Sequence, residues 1–275
     1  MTASPAIWVS IERFEGSSPR EVGAWMLVTS DRVEGTVGGG HLEFDAIAHA
    51  RSLLASHARS LLSDSPFVVT EETRRYALGP SLGQCCGGVV WLKFVGVAAG
   101  DTTKSVALRA DSIKATGLKS LKIALFGGGH VGKAIVNALA PLPCSVHWID
   151  SRDEIFPSVL PANVQAEHSA PVQAAVNDLA PQSHVLIMSF SHAEDLDVVA
   201  ECLKRKREQN DLPFIGLIGS KTKWATFRHR LEERGFSEDE LRQVTCPIGL
   251  TSIAGKEPEV IAASVAAQLM QFRKV

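Results

Sequence analysis

The sequence predicts a small N-terminal α+β domain followed by a Rossmann-like, doubly wound parallel sheet. Three observations lead there. In residues 1–97, strand-like alternation surrounds one long helical stretch. From Leu121 onward, buried-type apolar runs alternate with helical segments. The first of those runs is followed by Gly127-x-Gly129-x-x-Gly132, a dinucleotide-type glycine pattern, in strand-to-helix context.

Ile7 to Phe14 alternates apolar and polar residues and reads as a strand. Gly16-Ser17-Ser18-Pro19-Arg20 reads as a loop, and Ala24–Val28 and Val33–Val37 as strands turning at Ser30-Asp31. Gly38-Gly39-Gly40 opens a helix from about His41 to Leu62, with Ile47, Ala50, Leu54, Ala58 and Leu61 as its apolar face. Phe67–Tyr76 and Val89–Val95 complete the first sheet. Residues 98–119 are polar and weakly periodic and read as a linker. Residues 120–275 form the second domain. Strands are expected at Leu121–Phe126, Ser145–Ile149, His184–Phe190 and Phe214–Ile218. Helices are expected after Gly132 and near Leu196–Arg207, Thr222–Arg234 and Pro258–Gln271.

A length of 275 residues suits two domains, and 45% hydrophobic with 21% charged residues fits a globular protein. The net charge of -2 carries no basic surplus, which argues against nucleic acid as a partner. No apolar run approaches the roughly 18 residues that cross a bilayer. Residues 1–20 lack a basic head with an apolar stretch behind it, so no secretory signal is expected. Five cysteines in no repeated spacing suggest no disulfide framework, and a cytoplasmic location is expected.

Two of those cysteines are neighbours, in Gly83-Gln84-Cys85-Cys86-Gly87-Gly88. Adjacent Cα atoms lie about 3.8 Å apart, too close for a relaxed disulfide. Framed by glycines, Cys85 and Cys86 read as exposed soft sulfur: a metal ligand, a sulfur carrier or a redox group. Two small residues packed at a strand start is the plainer alternative.

In the second domain, Gly127 would allow the tight turn, Gly129 the approach of a pyrophosphate, and Gly132 close helix–strand packing. His130 stands at the helix start, where it either touches a ligand or faces water. Asp150, 18 residues after Gly132, is expected to accept from a ribose hydroxyl. Such a scaffold also occurs without a bound nucleotide, because fold does not imply function. Gly38, Gly39 and Gly40 suggest an oxyanion site, against a turn that needs positive φ; Glu43 reads as a first-turn helix stabiliser. Ser220 is a candidate helix cap, and Lys221 and Lys223 either meet an anion or are simply solvated. No metal-binding HExxH, nucleophile-elbow or zinc-ribbon pattern is present. The one tyrosine, Tyr76, lies outside the Rossmann-like half, so the Tyr–Lys pair of short-chain dehydrogenases is missing.

Taken in order, these pieces resemble the XdhC/CoxI family of xanthine dehydrogenase accessory proteins. The carrying residues are Gly16–Arg20, Gly35–Glu43, Gly83–Gly88, Gly127–Gly132, Gly219-Ser220-Lys221, Cys246-Pro247-Ile248-Gly249-Leu250 and Gly255–Pro258. The resemblance implies a cytoplasmic chaperone that is not itself an enzyme. It would bind the molybdenum cofactor (molybdopterin) as cargo and support its sulfuration with a cysteine desulfurase. It would then deliver the cofactor to apo-xanthine dehydrogenase or a related molybdenum hydroxylase. On this reading Cys85 and Cys86 contact molybdenum or sulfur, and the glycine-rich loops, His130, Asp150, Ser220 and Lys221 belong to the cofactor site. A different reading is an NAD(P)-dependent oxidoreductase using the Rossmann-like half and the cysteine pair, with NAD(P) or another nucleotide bound. A homodimer is expected from the general frequency of symmetric oligomers.

Overall fold

A computed structural model of the chain describes residues 4–60, 71–79, 87–115 and 120–273. The chain divides into two compact units, residues 1–118 and 119–274, and each is built on its own sheet.

The first unit is an antiparallel sheet of five strands: β1 (Ala6–Glu15), β2 (Trp25–Val28), β3 (Val33–Gly35), β4 (Glu72–Ala77) and β5 (Val89–Val97). Their order is β3-β2-β1-β5-β4. Side chains alternate across a strand, so β1 supplies both faces. Ile7, Val9 and Ile11 face helix α1 (Gly40–Ser60), where Leu42, Ala46 and Ala50 complete a core with Leu92 and Phe94. Trp8 faces the other way, stacks on Trp25 at 4.3 Å, and packs with Val95, Val97 and Leu108.

Leu108 belongs to a helix, α2 (Thr102–Ala115), where the sequence reads as a linker. The helix is tied to the first unit by more than Leu108. Arg109 Nη2 donates to Glu34 Oε1 at 2.6 Å, and its guanidinium lies over Trp25 at 4.7 Å. The apolar pattern of α2 is weak, and Val106 remains 64% exposed. The strand expected at Phe67–Tyr76 lies partly outside the described residues; its described part is β4.

The second unit is a six-stranded parallel sheet. Its strands are β6 (Leu121–Phe126), β7 (Cys144–Asp150), β8 (Val164–His168), β9 (Ser183–Ile187), β10 (Phe214–Leu217) and β11 (Val244–Thr245). The order β11-β10-β9-β6-β7-β8 reverses between β6 and β9. This is the Rossmann strand order, whose reversal opens a crevice beyond the carboxyl ends of the strands. Helices α3 (His130–Leu139) and α7 (Pro258–Met270) cover one face. The other face carries α4 (His192–Gln209), α5 (Lys221–Glu233) and the short α6 (Glu238–Leu241). No helix among the described residues is long and apolar enough to cross a membrane.

Candidate functional site

In the first unit, three of the glycine-rich segments meet. The Gly16–Arg20 loop leaves β1 with Gly16 at φ +74°. A methyl group added at Gly88 would lie 2.0 Å from the Ser17 carbonyl oxygen, and one at Gly38 would lie 2.5 Å from Pro19 Cβ. The loop is therefore held between Gly88, which ends the cysteine segment, and Gly38, which begins the glycine triplet. The Leu78 N–H donates to the Gly88 carbonyl at 2.7 Å, closing the neck of the β4–β5 hairpin. Cys85 and Cys86 themselves lie outside the described residues.

The glycine triplet has a conformational reason of its own. Gly38, Gly39 and Gly40 take φ of +127°, +74° and +63°, a region that side chains rarely adopt. Glu43 accepts from the Thr36 hydroxyl, from the Val37 N–H at 3.0 Å and from the Gly39 N–H at 3.1 Å. The Gly38 N–H goes to Thr36 Oγ1 at 3.0 Å. Burial pushes the Glu43 carboxyl up, but these hydrogen bonds win and hold it below the usual carboxylate range. Amides that the sequence reading offers to an oxyanion are thus engaged by Glu43 and Thr36.

In the second unit, the glycine loop divides by function. Gly127 has φ +124°, and a methyl group there would lie 2.0 Å from the Met188 carbonyl oxygen. One at Gly132 would lie 2.0 Å from the Gly127 carbonyl oxygen. These two glycines let α3 and β9 approach the end of β6. Trp148, buried beneath, donates its indole N–H to the Gly127 carbonyl at 3.0 Å. A methyl group at Gly129 would meet nothing within 4 Å. Gly129 caps α3 with no side-chain cap, and the first turn holds no acid. Gly129 and His130 are exposed. Just past the end of β9, the Ser189 hydroxyl is buried without a hydrogen-bond partner among the described residues. An exposed, uncapped helix start with no acid in its first turn fits a phosphate group.

The acid at the end of β7, where a dinucleotide fold holds its ribose, is engaged within the chain. Asp150 is 1% exposed and faces its own chain. Its Oδ1 accepts from the Arg152 N–H and Nε, both at 2.9 Å; its Oδ2 accepts from the Gly128 N–H at 2.6 Å and Arg152 Nη2 at 2.9 Å. A carboxylate offers about four acceptor sites, and all are filled. Burial pushes the Asp150 carboxyl up, yet the Arg152 guanidinium and the two amides hold it below the usual range. In this structure the Asp150 oxygens are directed to Gly128 and Arg152.

Ser220 caps α5, accepting from the Lys223 N–H at 3.2 Å, and Lys221 is exposed. Lys223 turns inward instead. Its Nζ donates to Asp195 Oδ2 at 2.6 Å and to the Ile218 carbonyl at 2.9 Å, while Asp195 Oδ1 accepts from the Ser189 N–H at 2.7 Å. This buried pair joins the carboxyl ends of β9 and β10. The sequence reading missed Arg152, Asp195 and Phe190. Arg152 had a signal, an Asp-x-Arg at a strand end; the other two had none.

Among the described residues, no group of three or more His, Cys, Asp or Glu is placed to hold a metal. Cys144 and Cys202 are buried and Cys246 is half-buried; burial pushes all three thiols up, so none is a ready thiolate. A cavity of about 590 Å³ lies at the amino ends of β6 and β7 around Lys122, His147 and Asn163, opposite the glycine loop.

The two kinds of glycine predict different variants. Gly132→Ala is expected to cost about 1–3 kcal/mol in stability through overpacking. Gly129→Ala is expected to change stability by less than about 0.5 kcal/mol and to weaken binding of a phosphate ligand. Urea midpoints and titration calorimetry check both. Equal stability losses would contradict the division.

Comparison with known proteins gives the same two halves. The XdhC Rossmann domain matches residues 123–269, and the XdhC and CoxI family matches residues 2–63. Protein YqeB of Escherichia coli (strain K12) is 26% identical over 273 residues, which are 98% of this chain and 44% of YqeB. The chain thus spans less than half the length of that curated relative. A xanthine dehydrogenase crystal structure from Bacillus halodurans aligns with a TM-score of 0.70 at 20% identity, over 98% of this chain and 91% of that one. At that identity the likeness concerns the fold.

Proposed function

The chain belongs to the XdhC and CoxI family, and on that premise we propose that it is an accessory protein of xanthine dehydrogenase or a related molybdenum hydroxylase. It binds the molybdenum cofactor as cargo and shields it. It supports replacement of an oxo ligand by a sulfido ligand, with a cysteine desulfurase as sulfur source, and hands the cofactor to the apo-enzyme. The observation that carries this reading is the meeting of the Gly16–Arg20 loop, Gly38 and Gly88 at the neck of the Cys85-Cys86 segment. Soft thiols suit molybdenum and sulfur, and the described cysteines are all poor candidates for that role. The open face at Gly129 and the acid-free first turn of α3 suit the phosphate of a pterin cofactor. Asp150, with no acceptor capacity left, weighs against the oxidoreductase reading.

The test is reconstitution of a purified apo-hydroxylase with cofactor-loaded protein. A carrier activates its client stoichiometrically, so activity should saturate near the amount of loaded protein supplied. Activation far beyond that amount would point to turnover and overturn the carrier reading.

A further inference from the structure

We infer that Arg152 is the specificity-determining residue of the Rossmann crevice: it fills the ribose subsite from within the chain and sets the crevice against NAD(H) and NADP(H). The inference does not depend on the accessory role. In dinucleotide-binding sheets, the acid at the end of the second strand holds a ribose hydroxyl, and a nearby arginine takes a 2′-phosphate. Here the arginine holds the acid. Three of the four donors on Asp150 come from Arg152: its backbone N–H, Nε and Nη2. A ribose hydroxyl could enter only by displacing the guanidinium. That exchange would leave a buried carboxylate short of its cation, a larger loss than one neutral hydrogen bond returns.

Further contacts close the same space. In the sheet, β7 and β9 flank β6, so a dinucleotide lying over the end of β6 passes between their loops. Those loops are laced together. The Arg152 guanidinium lies 4.5 Å from the Phe190 ring centroid. Ser151 Oγ donates to Glu194 Oε1 at 2.7 Å, and the Phe190 N–H donates to Glu194 Oε2 at 3.1 Å. On the β7 side, Ile155 packs on Gly128, where an added methyl group would lie 2.6 Å from Ile155 Cγ1. The charges do not favour NADP(H) either. Asp150 and Arg152 cancel, and Glu194 leaves the cluster negative, so a 2′-phosphate gains no net attraction there. The phosphate cradle at Gly129 lies outside this lacing and stays open.

The experiment titrates NADH and NADPH into the full-length wild type, Arg152→Ala and Arg152→Lys, by calorimetry and by quenching of tryptophan fluorescence. Wild type should show no saturable binding of either up to about 1 mM. Arg152→Ala uncovers Asp150 fully. Arg152→Lys keeps the cation but loses the two-pronged grip, and serves if the alanine variant fails to fold by near-ultraviolet circular dichroism. Either folded variant should bind NADH at least about tenfold more tightly than wild type. Saturable wild-type binding of NADH or NADPH would overturn the inference. So would a folded variant that binds NADH no better than wild type does.

Discussion

Replacing Cys85 and Cys86 together by alanine is expected to leave the protein folded and to abolish activation of its hydroxylase client. The argument has two parts. The neck of the β4–β5 hairpin is held by the Leu78–Gly88 hydrogen bond and by Gly88 against Ser17, and neither contact uses a thiol. Stability should therefore stay within about 0.5 kcal/mol of wild type. Function should not survive, because burial disfavours the thiolate at Cys144, Cys202 and Cys246. Client activity with the double variant should equal that of client given cofactor without the accessory protein. The single variants then show which thiol is required. A double variant that activates the client like wild type would remove the cysteine pair from the site.

Lys223→Met is expected to destabilise the second unit by about 3–5 kcal/mol. The side chains of Lys223 and Asp195 are 12% and 3% exposed. Removing the ammonium strands a buried carboxylate whose remaining donor among the described residues is the Ser189 N–H, and it frees the Ile218 carbonyl. Methionine conserves most of the volume, so the loss measures the pair and not a cavity. Lys221→Ala, two residues away and exposed, should stay within about 0.5 kcal/mol of wild type. Urea unfolding of both variants checks the contrast, and a loss below about 1 kcal/mol for Lys223→Met would contradict it.

The sequence treats those two lysines alike, and the difference shows where reading from sequence stops. Long apolar runs such as Leu121–Phe126 announce buried parallel strands, and the Gly127–Gly132 spacing announces the strand-to-helix turn. Weakly patterned elements do not announce themselves. β8, an edge strand of sequence Val-Gln-Ala-Glu-His, is partly exposed, and β11 is two residues long. Helix α2 reads as a linker because its contacts with the first unit include an ion pair and a cation–ring contact. At the site, residue type and place were legible but direction was not. Asp150 stands where a ribose-binding acid belongs, yet the turn at Ser151-Arg152 folds an arginine back onto it. The glycine triplet was legible as a special loop; that all three residues take positive φ, with Gly38 against Pro19 and the Gly39 amide held by Glu43, is set by the folded chain.

The most direct test of the carrier reading is the identity of the small molecule the protein holds. The full-length protein would be purified from a molybdenum-using host under anaerobic conditions, denatured, and its released small molecules identified by mass spectrometry. The account predicts a molybdopterin-type pterin, recovered with wild type and lost with the Cys85→Ala/Cys86→Ala variant. Recovery of a nicotinamide dinucleotide with no pterin would contradict it, and would return the Rossmann half to oxidoreductase chemistry.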